Sequence, residues 1–219
     1  IVFYPQKELI SKENGSPGGN TNSPGDGQNC TACHSGTLNS GVGTPSITTN
    51  IPASGYVPGQ TYTLTSAINE IGINRFGFEL TAEDNSNNKT GTFFITNSAE
   101  TKLVNSNAAV THKFAGTSGT NSKTWSFDWQ APIAGTGSVT FYSSCISADN
   151  NGNNNGDFVY SSSETISEAI AGCTVTAIPP SSPGACDGYL LISNVTGCTP
   201  PYTYLWSPLA TGCSGTTIS

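Results

Sequence analysis

Charged residues are scarce in this sequence, and methionine does not occur in it. Only 10% of the 219 residues are charged and 35% are hydrophobic. Polarity therefore comes mainly from Thr, Ser, Asn and Gly, which are typical of short strands and turns. This composition disfavours a helical enzyme and favours an all-β secreted protein.

Clusters of basic residues and long apolar runs are also missing. Lys and Arg number 7 against 14 Asp and Glu, which gives a formal net charge of −7 and a pI of about 4.6. Because no basic patch offers a footprint for phosphates, we expect no nucleic-acid partner. No apolar run is long enough to predict a membrane span.

The chain also lacks a signal peptide at its start, since residues 1–4 lead into polar loop with no basic segment before them. It does not begin with Met, and it stops at Ser219 inside a repeat-like segment. We therefore expect a processed, secreted form of a longer product.

The seven cysteines fall into two groups. Two belong to a Cys-x-x-Cys-His motif at residues 30–34. Disulfides in an oxidising compartment are the natural interpretation of the others, and their odd number leaves at least one thiol free or paired outside this chain. The sequence does not fix the pairing, although a shared repeat-like module favours Cys198 with Cys213. The five cysteines outside the motif are Cys145, Cys173, Cys186, Cys198 and Cys213.

Three regions differ in composition. Residues 1–45 are a loop-rich segment that carries the motif, and residues 46–171 contain alternating strand patterns. Residues 172–219 combine a Pro/Ser-rich linker at 175–183 with the start of a second small β module. Strands of this length and spacing predict a two-sheet β-sandwich. The predicted strands are residues 61–65, 76–82, 92–95, 109–114, 125–129 and 139–142. The aromatic residues predicted for the sandwich core are Phe76, Phe78, Phe114, Trp125, Phe127 and Trp129.

The Cys-x-x-Cys-His motif is the attachment signature of a c-type haem. Cys30 and Cys33 are spaced to form thioethers with the two vinyl groups on one haem edge. His34 is then directed to the iron as the proximal ligand. The motif therefore predicts one covalent haem c, on a short turn near residues 30–35.

Three other interpretations of the motif were weighed. Cys30 and Cys33 could form a thioredoxin-like redox pair, although the strand-then-helix context is absent. They could form a structural disulfide with His34 incidental. They could also bind zinc together with His34 and His112, although adjacent Cys33 and His34 would both have to turn towards one metal.

His112 is the candidate for the second axial ligand. The absence of methionine excludes His/Met ligation within this chain, and His112 is the only histidine besides His34. Its alternative interpretation is a core or surface histidine with no ligand role. Two histidine ligands leave no open position on iron, which predicts electron transfer and not oxygen activation.

Much of the chain resembles the choice-of-anchor V domain, a reeler-like secreted β-sandwich common in Bacteroidetes. The matching stretches are residues 23–36, 56–64, 76–82, 111–112, 125–132, 137–142 and 151–160. In that family the Cys-x-x-Cys-His element and the histidine before the Trp-rich strand tend to occur together, so the resemblance implies that His34 and His112 share one site. It also implies an Ig-like or reeler-like sandwich without an established enzymatic activity. Cys145 departs from the pattern, where a small residue is usual.

Residues 184–219 resemble a truncated repeat of the kind found in the gliding adhesin SprB, through residues 200–207. Cys198 stands where that pattern usually has Gly. Such repeats imply a long cell-surface protein that continues beyond Ser219.

Two functions from different classes follow. The first is an extracellular monohaem cytochrome that exchanges electrons with a redox partner protein or an extracellular acceptor. It could assemble into filaments if the segment 1–10 pairs with a neighbour's sheet edge. The second is a structural or adhesive surface protein in which the haem or cysteine pair is only a staple. A small peroxidase would require His112 to act as an acid–base group beside an open iron position, and we expect no enzyme.

Overall fold

A computed structural model describes residues 12–197 of the protein. Within this range the chain forms eleven β-strands and two single-turn 3-10 segments, and it contains no α-helix. No helix in the same range has the length and hydropathy needed to cross a bilayer. Two of the predicted features, the repeat-like residues 200–207 and the cysteines Cys198 and Cys213, lie outside the described residues.

Nine strands form two antiparallel sheets that pack face to face. One sheet has four strands in the order β1-β2-β7-β4, and the other has five in the order β5-β6-β3-β8-β9. This confirms the predicted all-β class and the β-sandwich. The strands are β1 (Thr44–Thr49), β2 (Thr61–Asn69), β3 (Arg75–Asp84), β4 (Thr92–Phe94), β5 (Thr101–Val104), β6 (Ala109–His112), β7 (Ser122–Gln130), β8 (Val139–Ala148) and β9 (Phe158–Ile166).

Aromatic residues on alternate positions of β3 and β7 fill the space between the sheets. Trp125, Phe127 and Trp129 are buried while the residues between them are more exposed, as the period of two in a strand requires. The Phe78 ring stacks on Trp125 at a centroid distance of 4.4 Å and on Phe127 at 6.0 Å. These contacts place Phe78 at the centre of the apolar core.

The opposite face of β3 is buried as well, because the N-terminal segment from residue 12 onwards lies across it. The Glu79 carboxylate accepts hydrogen bonds from the backbone N–H groups of Gly19 (2.8 Å) and Asn20 (3.2 Å). Glu83, further along the same face, pairs with Lys89 at 2.7 Å. The N-terminal segment is therefore an integral layer of the fold, attached through polar contacts to the outer face of the five-stranded sheet.

One predicted core position is wrong. β6 ends at His112 instead of continuing to Phe114, and Phe114 begins a 3-10 turn, Phe114–Gly116, with 52% of its surface exposed. The chain leaves the sheet here because Thr117 takes the place that a longer β6 would have beside β3. The Phe76 N–H donates a hydrogen bond to the Thr117 carbonyl at 2.8 Å. The other five aromatic residues predicted for the core are buried.

The last described part of the chain is a separate hairpin. Its strands, β10 (Gly172–Ile178) and β11 (Tyr189–Thr196), pair only with each other and are largely exposed. The linker predicted at residues 175–183 is therefore partly strand, since the polar-apolar alternation of β10 outweighs its nearby prolines. Cys186, between the two strands, is disulfide-bonded, whereas Cys145 and Cys173 are free thiols.

Candidate functional site

The Cys-x-x-Cys-His motif forms a compact turn. Cys30–Ala32 is a 3-10 segment whose first turn is capped by Asn29, because the Asn29 side chain accepts a hydrogen bond from the Thr31 N–H. The His34 N–H donates to the Cys30 carbonyl at 2.9 Å. The short turn predicted near residues 30–35 is confirmed.

This turn borders a cavity of about 370 Å³ on the outer face of the five-stranded sheet. Its lining includes all four residues singled out in the sequence: Cys30, Cys33, His34 and His112. The volume falls in the range of about 300–1,000 Å³ common for ligand sites. Phe114, Ile146 and Ala148 contribute apolar surface, and the rest of the lining is mostly polar and comes from the N-terminal segment and the loop between β8 and β9. Phe76 and Phe78 border the cavity from β3, but their rings face the sandwich core.

His34 is oriented by a buried carboxylate. Its Nδ1 atom lies 2.6 Å from Oδ2 of Asp157, and both side chains are nearly inaccessible to solvent. The second Asp157 oxygen accepts a hydrogen bond from the Asp149 N–H at 3.2 Å. With Nδ1 engaged in this way, Nε2 is the nitrogen of His34 left to bind a metal or ligand.

His112 is held by the backbone of β3. Thr111 is the last β6 residue paired with that strand, and the His112 ring follows where the ladder ends. Its Nδ1 atom lies 3.0 Å from the Phe78 nitrogen and 3.2 Å from the Phe78 oxygen. Either tautomer of the ring therefore has a partner, and Nε2 remains outside these contacts.

Burial keeps the His112 imidazole neutral. Burial, with smaller contributions from Lys102 and His34, lowers the pKa of His112 from 6.5 to about 4, although the hydrogen bond to the Phe78 backbone opposes this shift. A neutral imidazole is the form that coordinates a metal. His34 and His112 are thus close enough to influence each other electrostatically, although they come from distant parts of the sequence.

Gly77 makes room for the His112 ring. A Cβ atom added at Gly77 would lie 2.7 Å from Cε1 of His112 and 3.2 Å from each ring nitrogen. Such distances are shorter than ordinary van der Waals contact, so a side chain at this position would displace the ring or the strand. No local sequence pattern connects Gly77 with His112.

The Asn-rich loop between β8 and β9 clamps the motif. The Asn154 side-chain amide donates to the Cys33 carbonyl at 2.7 Å, and the Ser35 N–H donates to the Asn154 carbonyl at 2.9 Å. The loop also ends at Asp157, the partner of His34. Its composition predicted exposed loop, and most of it is exposed. No local sequence pattern links it to a segment more than a hundred residues earlier.

The two motif cysteines are free thiols with different surroundings. Burial raises the pKa of the Cys30 thiol to about 12, whereas Cys33 is only partly buried. A redox-active thiol pair requires a lowered pKa, so Cys30 does not suit that role. Among residues 12–197, no three His, Cys, Asp or Glu side chains converge as a metal site. Cys30, Cys33, His34 and His112 are therefore not arranged as a zinc tetrahedron.

A match to a known family shows which family the chain belongs to. The sequence model of the Reeler domain matches residues 29–152, which is more than half of the chain. The chain belongs to the Reeler domain family. The matched part of this Reeler domain includes the motif and His112, while Asp157 lies just beyond it.

Solved Reeler domains resemble this one over the sandwich. The Reelin-N domain of F-spondin is 26% identical, with 62% of this chain and 93% of that chain covered and a TM-score of 0.48. The human F-spondin reeler domain (fragment 1) is 24% identical, with 60% and 94% covered and a TM-score of 0.46. A search of curated proteins finds no match.

Proposed function

We propose that this Reeler domain is an extracellular monohaem c-type cytochrome that transfers single electrons. Cys30 and Cys33 would carry the thioethers, His34 would be the proximal ligand and His112 the distal one. The observation that carries the proposal is the shared cavity: the motif and the chain's only other histidine line the same space.

The residues around the cavity suit a haem c. Phe114, Ile146 and Ala148 offer apolar surface to a macrocycle, and each histidine has Nδ1 engaged while Nε2 is left for iron. Ligation through Nε2 of His112 requires the proton on Nδ1, where it can donate to the Phe78 carbonyl. When bound, the haem would supply a one-electron couple at its iron.

The protein's own part in this chemistry is orientation and exclusion of water. Asp157 fixes the tautomer and the orientation of His34, and the Phe78 backbone holds the ring of His112 in place in either tautomer. The N-terminal segment and the loop at residues 149–157 cover the motif. Two histidine ligands leave no iron position for oxygen, which favours electron transfer.

Location and partners belong to the same proposal. Reeler domains are typically extracellular, which supports a secreted cytochrome whose haem is attached after export. Its partner would be a redox protein or an extracellular acceptor. Assembly through residues 1–10 stays a prediction, because that segment lies outside the described residues.

The visible spectrum tests the proposal. The protein would be made in a host that attaches haem c, oxidised, and then reduced with dithionite. We expect a sharp reduced α-band that survives acid–acetone extraction, with low-spin character lost in His112→Ala. The matched control is Cys30→Ala with Cys33→Ala, which should be colourless. A colourless wild-type protein would overturn the proposal.

A structural or adhesive role is the second candidate. It is favoured by the polar contacts that fasten the N-terminal segment to the sheet, including those at Glu79, and by the Reeler family itself. Voltammetry separates the two functions. A reversible one-electron couple supports the cytochrome, whereas a haem that stays redox-inert supports a staple.

A further inference from the structure

We propose that Arg75 is the carboxylate anchor of the cavity and that it binds a propionate of the haem. This inference rests on the proposed function, because the propionate is the carboxylate that a haem c brings into the site. It assigns a positioning role to a residue that the Cys-x-x-Cys-His motif does not contain.

Arg75 is the only arginine in a chain with 14 acidic residues. Among residues 12–197, the ion pairs are formed by His34, Lys89 and Lys123, and none involves Arg75. The Arg75 residue lines the cavity instead. A partly buried guanidinium in an acidic protein, facing a cavity and without a carboxylate partner in the described chain, points to an anionic group supplied by a ligand.

The guanidinium is fixed in orientation. Its Nη1 donates to the hydroxyl oxygens of Thr117 (2.8 Å) and Ser118 (3.1 Å), and its central carbon lies 5.4 Å from the centroid of the Phe114 ring. These contacts use the two Nη1 protons and leave the N–H groups on Nε and Nη2. That edge of a guanidinium matches a carboxylate in a two-point hydrogen bond.

The register of β3 places Arg75 away from the attachment cysteine. The Cys30 N–H donates to Oγ of Ser144, and Ser144 pairs with Glu79 in the sheet. Arg75 is four residues from Glu79 on the same strand, or roughly 13 Å at the usual rise per residue. In a haem the propionates lie on the edge opposite the vinyl groups. Arg75 is thus at the end of the cavity where a carboxylate is expected.

The other cation of the lining does not offer the same site. Lys12 also lines the cavity, but its side chain is exposed and it lies in the loop-rich N-terminal segment beside Glu13. A lysine binds a carboxylate through a single flexible ammonium group, whereas the guanidinium of Arg75 is already positioned by Thr117, Ser118 and Phe114.

The test uses the full chain with its haem attached. Arg75→Gln removes the charge and the donor edge, and Arg75→Lys keeps the charge only. Lys113→Gln is the matched control, since it removes one charge from a residue that bonds to the Ser98 carbonyl and does not line the cavity. The readouts are the midpoint potential and the propionate bending mode in the resonance Raman spectrum.

We expect Arg75→Gln to lower the midpoint potential more than Lys113→Gln and to shift the propionate mode. Arg75→Lys should keep the potential near wild type and still shift the mode. Circular dichroism of each variant checks that the sandwich is folded. If haem is attached but Arg75→Gln matches Lys113→Gln in both readouts, the anchor is overturned. If the wild-type chain attaches no haem, the proposed function fails instead.

Discussion

Each imidazole of the site is fixed at its Nδ1 atom by a group from another part of the chain. Asp157 holds His34, and the backbone of Phe78 holds His112. The two holding groups differ in charge, because one is a carboxylate and the other a neutral peptide. The two ligands are therefore expected to respond differently to substitution.

Replacing Asp157 by Asn removes the negative charge beside His34. In the proposed cytochrome, the ferric state would lose more stabilisation than the ferrous state, so the midpoint potential should rise. The haem-free protein should also lose roughly 1.5–3 kcal/mol of stability, the usual contribution of a charged hydrogen bond. Potentiometry and urea unfolding measure the two effects. Asp149→Asn, in the same loop but without contact to His34, is the control, and an equal potential in both variants would contradict the prediction.

Adding a methyl group at Gly77 should displace the His112 ring. Gly77→Ala places a Cβ atom 2.7 Å from Cε1 of His112, and overpacking of this kind costs about 1–3 kcal/mol. In the haem-loaded protein we expect a low-spin to high-spin change in the ferric visible spectrum. Gly172→Ala, where the added atom meets only an ordinary contact with Thr196, should leave the spectrum unchanged. A low-spin spectrum in Gly77→Ala would refute the role of this glycine.

The neutral state of His112 gives the haem-free fold a pH dependence. The unfolded chain takes up a proton near pH 6.5, whereas the folded chain resists protonation down to about pH 4. The stabilisation that comes from the neutral His112 is fully present above pH 6.5. As the pH falls from 6.5 to about 4, the free energy of unfolding decreases by on the order of 3 kcal/mol. Denaturant unfolding at pH 7 and pH 4 should show this loss in wild type. His112→Asn should lack this part of it, and identical losses would speak against the assignment.

At the scale of elements, alternation predicted the central strands and missed three of the four edge strands. β2, β3, β7 and β8 bury alternate residues against the other sheet, and their patterns are visible in the sequence. The three sandwich strands that were not predicted, β1, β5 and β9, are all sheet edges, with few fully buried positions. Edge strands carry polar residues, so they look like loop.

The candidate site, like the fold, was predictable from the sequence only in part. The spacing of Cys30, Cys33 and His34 is local and stands out in the sequence, and His112 followed because no methionine competes. Asp157 and Gly77 act through contacts made only in three dimensions. Arg75 likewise gains its role from the shape of the cavity. Whether iron is bound by the two histidines remains a prediction.

On the outer face of β3, Glu79 holds the N-terminal segment that covers this face. Glu79 alternates with core residues and would be read as solvent-facing, yet it is fully buried under the N-terminal segment. Glu79→Ala should release this segment, at a cost of about 1–3 kcal/mol for the unpaired N–H groups. Hydrogen exchange at Gly19 and Asn20 should accelerate, whereas the exposed Glu164→Ala should leave it unchanged. Unaltered protection at both amides would contradict this role for Glu79.

At the scale of the whole molecule, the sandwich core and the cavity occupy opposite faces of one sheet. The core cluster around Phe78 and Trp129 does not include Cys30, which packs in a small separate cluster with Ile146 and Val159. The fold is thus expected to form without a haem. The Cys30→Ala, Cys33→Ala protein should keep the wild-type β circular dichroism and a cooperative thermal transition. Loss of both signals would mean that attachment is needed for folding.

The burial of Cys30 has a consequence for how the protein is made. In the finished fold this thiol is 6% exposed and resists ionisation, beneath a segment pinned by Glu79. In the proposed cytochrome, the enzymes that attach the haem would therefore have to reach the motif while the N-terminal segment is still unfolded. The clamp at Asn154 and Asp157 is synthesised more than a hundred residues later. If the haem is attached after export, as proposed, attachment would have to come before these residues fold over the motif.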